Sequence, residues 1–267
     1  MEGKGVRLSR LFKHSRRLFI VPMDHGVTVG PVTGLRDMNY IVKQVTAGGA
    51  DSIIIHKGLV RQVTDYLGPE GCELIVHLSA STALASNPNR KELVSSVEQG
   101  IRLGATAVSV HVNLGDEFEA TMLKDLGQVA EECDFWGIPL LAMVYVRDGK
   151  KENEYDPVKI KHAARVAEEM GADIVKLNYT GSKETFVNVI DAVKIPVVIA
   201  GGPKMDSVYD LLVMIADATL AGARGVALGR NVFQDKNPQL LAGKIRRVLD
   251  EVLSKEMIKK LADSDSI

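Results

Sequence analysis

The sequence predicts an α/β protein with one domain, folded as a (β/α)8 barrel, and three observations support that prediction. The chain has 267 residues and is 46% hydrophobic, which suits a single large core. The dipeptide Gly-Ala recurs four times at intervals of roughly sixty residues, about the length of two βα units. An apolar run follows each copy, and four further apolar runs precede the copies, one ahead of each. Eight strands separated by helical sequence favour a closed barrel over the alternative, a doubly wound open sheet.

The elements are expected in a regular order. Basic residues, with Leu8, Leu11 and Phe12 at helical spacing, predict a lead-in helix within residues 1–18 that covers the base of the domain or packs on a neighbouring subunit. The eight strands are expected in RLFIVPMDHG, DSIIIHKG, CELIVHLSA, TAVSVHVNLG, IPLLAMVYVR, DIVKLNYTG, IPVVIAGGP and RGVALGRN. Amphipathic stretches such as NYIVKQVTA, LVSSVEQGIRL and VKIKHAARVAEEM end at the repeated glycines, which act as helix stops. Residues 256–267 are predicted to form a last helix and a polar tail.

Composition narrows the function classes. A net charge of -1 and a pI near 6.6 argue against nucleic acid or an anionic membrane as partner. The sequence has no run with the length of a membrane span, and its first residues lack the apolar core of a secretory signal. Cys72 and Cys133 are too few and too far apart for a disulfide framework or a metal knuckle. We expect a cytoplasmic, soluble protein that acts on a small substrate.

Polar residues concentrate at the carboxyl ends of the predicted strands, where barrels of this class build their active sites. Four of the six histidines lie there: His25, His56, His77 and His111. A single histidine at such a place is more often structural than catalytic, but together they indicate a polar mouth above a dry barrel. Histidines on separate strands can also converge on one cation, so a divalent-metal lyase is an alternative.

Glycine-rich turns follow the last two predicted strands. AGGPK places Gly201 and Gly202 after strand seven, and LGRN places Gly229 and Arg230 after strand eight. Barrels often bind a phosphate in these loops through backbone N–H groups, and Arg230 offers a positive charge. The plainer interpretation is an ordinary turn. The position in the chain favours a phosphorylated substrate.

Lys176 interrupts the apolar run DIVKLNYTG on predicted strand six. A buried ammonium costs several kcal/mol unless it is paired or neutralised. Its head could reach solvent or pair with Asp24 or Asp148. Alternatively, burial and cations such as Arg147 and Lys204 disfavour the charged amine and make it a nucleophile for a Schiff base with a phosphorylated ketone. The imine would let a neighbouring carbon–carbon bond form or break.

Schiff-base chemistry also needs an acid/base for the hydroxyl that becomes an aldehyde, and a carboxylate for the protons of the imine. Tyr145 and Asp24 stand at suitable strand ends, although a rim tyrosine and a helix cap are plainer alternatives. With Lys176 they favour a metal-independent class I aldolase or transaldolase that needs no cofactor. Its substrates would be a dihydroxyacetone-phosphate-type unit and an aldehyde. A catalytically silent barrel that only binds ligand is a third hypothesis.

The chain resembles the archaeal-type class I fructose-bisphosphate aldolases and the 2-amino-3,7-dideoxy-D-threo-hept-6-ulosonate (ADH) synthases, aldolases of the DeoC and FbaB type. The resemblance runs from VRLSRLF through VPMDHGV, HKG, PLLAMVYVR and VVIAGGPK to GVALGRN, and PMDHGV and HKG are more similar to the ADH synthase branch. It implies Lys176 as the Schiff-base lysine, Tyr145 as the acid/base and Asp24 as the aspartate. It also implies further substrate or phosphate contacts at His25, Gly26, Val27, Thr28, Val146, Arg147, Gly201, Gly202, Gly229 and Arg230.

The resemblance has implications beyond the site. The two branches imply carbohydrate metabolism or aromatic amino acid biosynthesis, and both imply a homo-oligomer built on rings, such as a decamer. One segment departs from the family pattern. After Tyr145 the chain reads VRDGKKENEYD, without the proline of the usual version, so the resemblance assigns no second-substrate contacts there.

Overall fold

Eight parallel strands form a closed barrel in the computed structural model, which describes residues 2–266. The strands are β1 (Leu18–Pro22), β2 (Ser52–Ile55), β3 (Glu73–His77), β4 (Ala107–Leu114), β5 (Leu140–Val146), β6 (Ile174–Asn178), β7 (Val197–Ala200) and β8 (Gly225–Ala227). Each strand pairs with the next in sequence, and β1 pairs in parallel with β8. The predicted TIM barrel, with a single domain, is therefore confirmed, and the open-sheet alternative is wrong.

Helices surround the barrel and close its lower end. In residues 2–266 they are α1 (Glu2–Leu11), α2 (His25–Val29), α3 (Met38–Ala47), α4 (Val97–Arg102), α5 (Glu119–Trp136), α6 (Pro157–Glu169), α7 (Lys183–Ile190), α8 (Val208–Leu220), α9 (Arg230–Phe233), α10 (Pro238–Asp250) and α11 (Lys255–Asp263). No helix in the described part of the chain is long and apolar enough to cross a membrane.

The four Gly-Ala copies share one backbone geometry. The glycines have positive φ angles of 85°, 84°, 88° and 107° at Gly49, Gly104, Gly171 and Gly222. The N–H of each following alanine donates to the carbonyl five residues earlier, at 2.9 to 3.0 Å, as in the Schellman motif that ends helices. Left-handed backbone strains any side chain with a Cβ, so glycine suits these positions. The repeat is thus a recurring helix stop ahead of β2, β4, β6 and β8.

Apolar side chains fill the inside of the barrel below its mouth. Leu18, Ile20, Ile54, Ile75, Leu141, Ile174 and Val198 are fully buried there. Leu11 of α1 is also fully buried in this cluster, with Leu8 packed beside it. The lead-in helix therefore covers the base of the barrel, one of its two predicted positions.

The lead-in helix is shorter than the predicted segment 1–18, whose Met1 lies outside the described residues. It ends at Leu11, and the buried carboxylate of Asp51 binds the connection to β1. Asp51 accepts hydrogen bonds from His14 Nδ1 and from the backbone N–H of Phe19, both at 2.6 Å. Arg246 reaches the same carboxylate at 3.0 Å. These bonds hold a bent, non-helical connection where the helix would otherwise continue.

Two excursions from the barrel rise over its mouth. A short antiparallel hairpin, Ser79–Ala80 with Glu92–Leu93, follows β3. The hairpin includes Leu93, the first residue of the stretch LVSSVEQGIRL that was predicted to be helical. Helix α4 therefore begins only after Ser96, whose side chain accepts a hydrogen bond from Gln99 N–H. A 3-10 helix, Lys151–Tyr155, follows β5. At the carboxyl end of the chain, α11 ends at Asp263, and Ile267 of the predicted tail lies outside the described residues.

Candidate active site

A cavity of about 420 Å³ opens at the carboxyl ends of the strands. Most of the predicted site residues line it: Asp24, His25, Thr28, Tyr145, Arg147, Lys176, Gly201, Gly202, Gly229 and Arg230. They come from β1, β5, β6, β7 and β8 and the loops that follow them. Their side chains or backbone meet in one place because parallel strands end on the same side of the barrel.

Lys176 extends into this cavity from the middle of β6. The strand register pairs it with Met143 of β5 and Val198 of β7, which hold its backbone on both sides. The residue is 7% exposed, and its ammonium group has no hydrogen-bond or ion-pair partner among residues 2–266. Asp148, one partner considered from the sequence, instead binds Lys159 at 2.5 Å. Lys176 is therefore a buried amine that the protein leaves free.

Asp24 lies beside the amine at the end of β1. It occupies the N-cap position of α2, yet its carboxylate makes no capping hydrogen bond. Its oxygens instead approach His25 Nδ1 at 3.7 Å and His77 Nε2 at 3.8 Å. Burial alone would raise the pKa of Asp24, but attraction to the protonated forms of His77 and His25 and to Lys176 outweighs burial and holds that pKa well below its usual value. Asp24 is therefore a carboxylate at neutral pH.

The histidines around Asp24 are kept neutral. Burial lowers the pKa of His77 to about 4, against the attraction of Asp24, and burial likewise lowers the pKa of His25 and of His56. His77 Nδ1 also bonds to Ser109 Oγ at 2.8 Å. No group of three or more His, Cys, Asp or Glu side chains in residues 2–266 has the arrangement of a metal site. The histidines surround a carboxylate rather than forming a ligand cluster.

Tyr145 faces the cavity two residues beyond Met143 on β5. Its ring meets the His111 ring edge to face, with centroids 5.0 Å apart, and the Arg147 guanidinium lies 5.5 Å from its centroid. His111 Nε2 donates to Asn113 Oδ1 at 2.9 Å, because the Asn113 amide nitrogen is committed to Asn89 O at 2.6 Å. Burial, with Lys91 nearby, lowers the pKa of His111 well below its usual value. Tyr145 thus has neutral and cationic neighbours.

The glycine loops after β7 and β8 form one wall of the cavity. The backbone N–H groups of Gly202, Gly229 and Arg230 have no acceptor among residues 2–266. Arg230 Nε is buried and also lacks a partner there. A Cβ on Gly229 would lie 2.7 Å from His25 Cε1 and 2.8 Å from Pro22 O, so this loop packs directly on β1. Unpaired N–H groups and a guanidinium suit an anion.

Asn231 joins these two loops. Its buried side chain donates to Gly201 O at 2.9 Å and to Pro203 O at 3.2 Å, and it accepts from Met205 N at 2.8 Å. The sequence indicated Asn231 only as part of LGRN. The amide holds the β7 loop against the β8 loop and so fixes the spacing of their free N–H groups.

Four predicted residues lie elsewhere. Gly26 and Val27 line a neighbouring cavity of about 720 Å³, which α2 separates from the first and which Asp24 also borders. Val146 is buried and follows Tyr145, so strand alternation turns its side chain towards the helices. Lys204, named from the sequence as a nearby cation, donates to Gln234 O at 2.5 Å and does not line the cavity.

Sequence reasoning assigned no role to five polar residues of the cavity wall: Lys91, Lys151, Glu154, Tyr155 and Asn178. Lys91 comes from the hairpin after β3, where its ammonium donates to Ser81 Oγ at 2.5 Å and Pro88 O at 3.0 Å. Glu154 forms an ion pair with Arg147. Asn178, two residues after Lys176, donates to Glu154 O at 3.0 Å. Only Asn178 carried a usable signal, because alternation on β6 places it on the same face as Lys176.

Comparison with known sequences identifies relatives along most of the chain. Residues 18–235 match the model of the DeoC/LacD family aldolases. A 2-amino-4,5-dihydroxy-6-oxo-7-(phosphonooxy)heptanoate synthase of Streptomyces griseus is 46% identical over 247 residues, covering 91% of this chain and 89% of that protein. An ADH synthase of Halobacterium salinarum is 42% identical over 250 residues, covering 93% of this chain and 92% of that protein.

Solved structures agree with the sequence matches. An archaeal fructose-1,6-bisphosphate aldolase, with its catalytic lysine covalently bound to the carbinolamine intermediate of its substrate, superposes with a TM-score of 0.85 at 30% identity, covering 93% of this chain and 100% of that one. A second archaeal fructose 1,6-bisphosphate aldolase structure superposes with a TM-score of 0.84 at 30% identity, covering 92% of this chain and 98% of that one. The predicted resemblance is confirmed, and so is the class I aldolase function that it implied. The chain belongs to the DeoC/LacD family of aldolases.

Proposed function

We propose that this class I aldolase joins a phosphorylated three-carbon ketone to the aldehyde of L-aspartate semialdehyde. The support is the product of the Streptomyces relative, a seven-carbon chain with an amine on C2, hydroxyls on C4 and C5, a ketone on C6 and a phosphate on C7. An aldol bond links the carbon beside a ketone to a carbon that bears a hydroxyl, which is C5 to C4 here. Cutting that bond gives dihydroxyacetone phosphate and aspartate semialdehyde.

The observation that carries the proposal is the free Lys176 amine within a cavity that also holds Tyr145 and the Asp24 carboxylate. The amine attacks the ketone carbon, and the resulting carbinolamine loses water to give an iminium ion. Asp24 accepts and returns the protons of these two steps. The iminium withdraws electrons from the adjacent carbon, which loses a proton and becomes the nucleophilic carbon of an enamine.

The enamine then attacks the aldehyde carbon, the new alkoxide takes a proton from the Tyr145 hydroxyl, and the proton lost from the donor carbon restores that hydroxyl. Water adds back to the iminium ion, the carbon–nitrogen bond breaks, and product and free Lys176 are restored. In the reverse direction Tyr145 removes the same hydroxyl proton, so one residue serves cleavage and synthesis. Neutral His111 against the ring is compatible with either role.

The phosphate end of the substrate is the second part of the proposal. The Halobacterium relative is named for a 7-deoxy product, whereas the Streptomyces product carries a 7-phosphate. The free N–H groups after β7 and β8, with the unpartnered Arg230 Nε, support retention of a phosphate in this chain. The product with dihydroxyacetone phosphate should therefore keep its phosphate, which mass spectrometry of the product reports.

Borohydride trapping tests the nucleophile. Reduction in the presence of dihydroxyacetone phosphate should add one three-carbon phosphate to the peptide that contains Lys176. The Lys176→Met variant should neither trap ligand nor turn over, while Lys204→Met, a change just outside the cavity, should do both. Turnover by Lys176→Met would refute the assignment. Full activity after exhaustive chelation is expected, and its loss would favour the divalent-metal alternative.

Acceptor choice is tested by offering aspartate semialdehyde and glyceraldehyde 3-phosphate in parallel with the same donor. A seven-carbon amino acid product supports the proposal and a role in aromatic amino acid biosynthesis. A product from glyceraldehyde 3-phosphate alone would instead indicate a fructose-bisphosphate aldolase, the activity of the relatives of 30% identity.

We also propose that the protein acts in the cytoplasm as a ring-based homo-oligomer. The support is an exposed aromatic pair at the end of α5, Phe135 and Trp136, which are 81% and 45% exposed with ring centroids 5.1 Å apart. Monomeric proteins seldom expose adjacent large aromatic rings without a contact surface. Light scattering should give a mass several times 29.0 kDa, and Phe135→Ser with Trp136→Ser should lower it.

A further inference from the structure

Charge is distributed unevenly along the cavity wall. Arg230 and the glycine loops lie on one side, while Arg147, Lys151 and Glu154 come from β5 and the 3-10 helix that follows it. Among the described residues, Asp24 and Glu154 are the two carboxylates that line the cavity. Asp24 lies beside Lys176 and has its role there. The proposed reaction leaves Glu154 without a function.

Glu154 forms an ion pair with Arg147, and both remain reachable from the cavity. Their side chains are 24% and 29% exposed, respectively. The Arg147 guanidinium lies 5.5 Å from the Tyr145 ring centroid, so the pair stands beside the group that protonates the new hydroxyl. Asn178 Nδ2 bonds to Glu154 O at 3.0 Å and ties the backbone of this segment to β6, the strand that carries Lys176. The pair is thus fixed relative to the reacting centre.

We propose that Arg147 and Glu154 form a recognition site for the zwitterionic end of an α-amino aldehyde. This inference rests on the proposed function, since the acceptor there carries a carboxylate and an ammonium group on neighbouring atoms. Arg147 binds the carboxylate in a bidentate manner, and Glu154 accepts hydrogen bonds from the ammonium. The adjacent opposite charges of the protein match the adjacent opposite charges of the ligand.

The same carboxylate acts against a phosphorylated acceptor. A phosphate dianion at this place would meet Glu154 at close range, and like charges in a partly dry cavity repel strongly. Glu154 therefore selects between an amino acid aldehyde and a sugar phosphate by attraction and by repulsion. Arg147 alone would accept either anion.

Two aldehydes that differ only in the amine separate these roles. Aspartate semialdehyde has the carboxylate and the ammonium, and succinate semialdehyde has the carboxylate alone. In the wild-type enzyme, kcat/KM should favour aspartate semialdehyde. Glu154→Gln should raise the KM for aspartate semialdehyde about tenfold or more, the usual effect of losing a charge-assisted hydrogen bond, and should leave the KM for succinate semialdehyde nearly unchanged. Its rate with glyceraldehyde 3-phosphate should rise.

Two further variants are matched to this one. Arg147→Gln should raise the KM for both semialdehydes, because both carry the carboxylate. Glu152→Gln, an exposed change on the same 3-10 helix that does not line the cavity, should change neither. Borohydride trapping of dihydroxyacetone phosphate at Lys176 should be the same in all three variants, which shows that the protein is folded and that donor binding is intact.

The results distinguish failure of the inference from failure of the proposed function. If the wild type uses aspartate semialdehyde and Glu154→Gln keeps its preference over succinate semialdehyde, the recognition site is refuted while the proposed reaction stands. If Glu154→Gln weakens both semialdehydes equally, Glu154 only braces Arg147, and the inference is again refuted. If the wild type accepts neither semialdehyde but condenses glyceraldehyde 3-phosphate, both are refuted.

Discussion

Gly229 offers a direct test of the glycine loops as the phosphate site. Gly229→Ala introduces a Cβ 2.7 Å from His25 Cε1 and 2.8 Å from Pro22 O, both below the 3.0 Å that real Cβ contacts respect. Its φ of -93° suits alanine, so the effect of the change is steric. The Pro22 carbonyl belongs to β1 and cannot rotate away, and the His25 ring packs edge to face on Phe233 at 5.1 Å. The β8 loop must therefore move.

Overpacking of this kind destabilises a protein by about 1–3 kcal/mol, and each kcal/mol lowers Tm by about 2–4 °C in a chain of similar size. Movement of the loop also displaces the Gly229 and Arg230 N–H groups, so dihydroxyacetone phosphate should bind about tenfold more weakly or worse. Urea unfolding measures the first effect, and the donor concentration for half-maximal borohydride trapping measures the second.

Gly58→Ala is the matched control, because a Cβ at Gly58 meets nothing within 4 Å and the residue lies outside the main cavity. It should alter neither stability nor donor binding appreciably. The reasoning is refuted if Gly229→Ala loses stability but binds dihydroxyacetone phosphate like the wild type, since the phosphate would then bind elsewhere.

Three further predictions concern other parts of the fold. The folded state holds the pKa of His77 at about 4, below its usual 6.5, so the unfolded chain binds more protons between these values. The free energy of unfolding should therefore fall by about 3 kcal/mol as pH drops through that window. Urea titrations at several pH values should show that this free energy depends less steeply on pH in His77→Gln than in the exposed control His162→Gln. Asn231→Ala removes the amide that joins the two glycine loops. Dihydroxyacetone phosphate, measured by calorimetry, should bind about tenfold more weakly, and the free energy of unfolding should fall by about 1–3 kcal/mol. Unchanged binding would show that Asn231 does not support the site. In Gly104→Ala the new Cβ contacts nothing, but alanine must adopt a φ of 84°. Tm should therefore fall by an amount equivalent to about 1–2 kcal/mol, and an unchanged Tm would contradict the left-handed helix stop.

The barrel and the centre of its site could be predicted because both follow from local rules. The Gly-Ala stops are set by backbone geometry, and residues at strand ends meet wherever parallel strands close on themselves. Lys176, Tyr145 and Asp24 were predicted on that basis and line one cavity. Their chemical roles are still proposals.

The residues outside that centre depend on packing that the sequence does not reveal. Lys91 and Glu154 enter the cavity from a hairpin and a 3-10 helix, whose directions are set by tertiary contacts. The resemblance implies a contact at Val146, although the two-residue period of a strand turns its side chain away. Lys204 is directed outwards by a carbonyl thirty residues further along the chain, a contact that no local pattern predicts.

The position on a barrel strand of the amine proposed to react has a consequence for how such enzymes diversify. Lys176 is held by two neighbouring strands, whereas the groups proposed to meet the second substrate belong to a surface segment after β5. Substitutions at about a dozen surface residues can therefore change which aldehyde is accepted, without disturbing the barrel strands that hold Lys176. Relatives with different products and one shared nucleophile are the expected outcome of that arrangement.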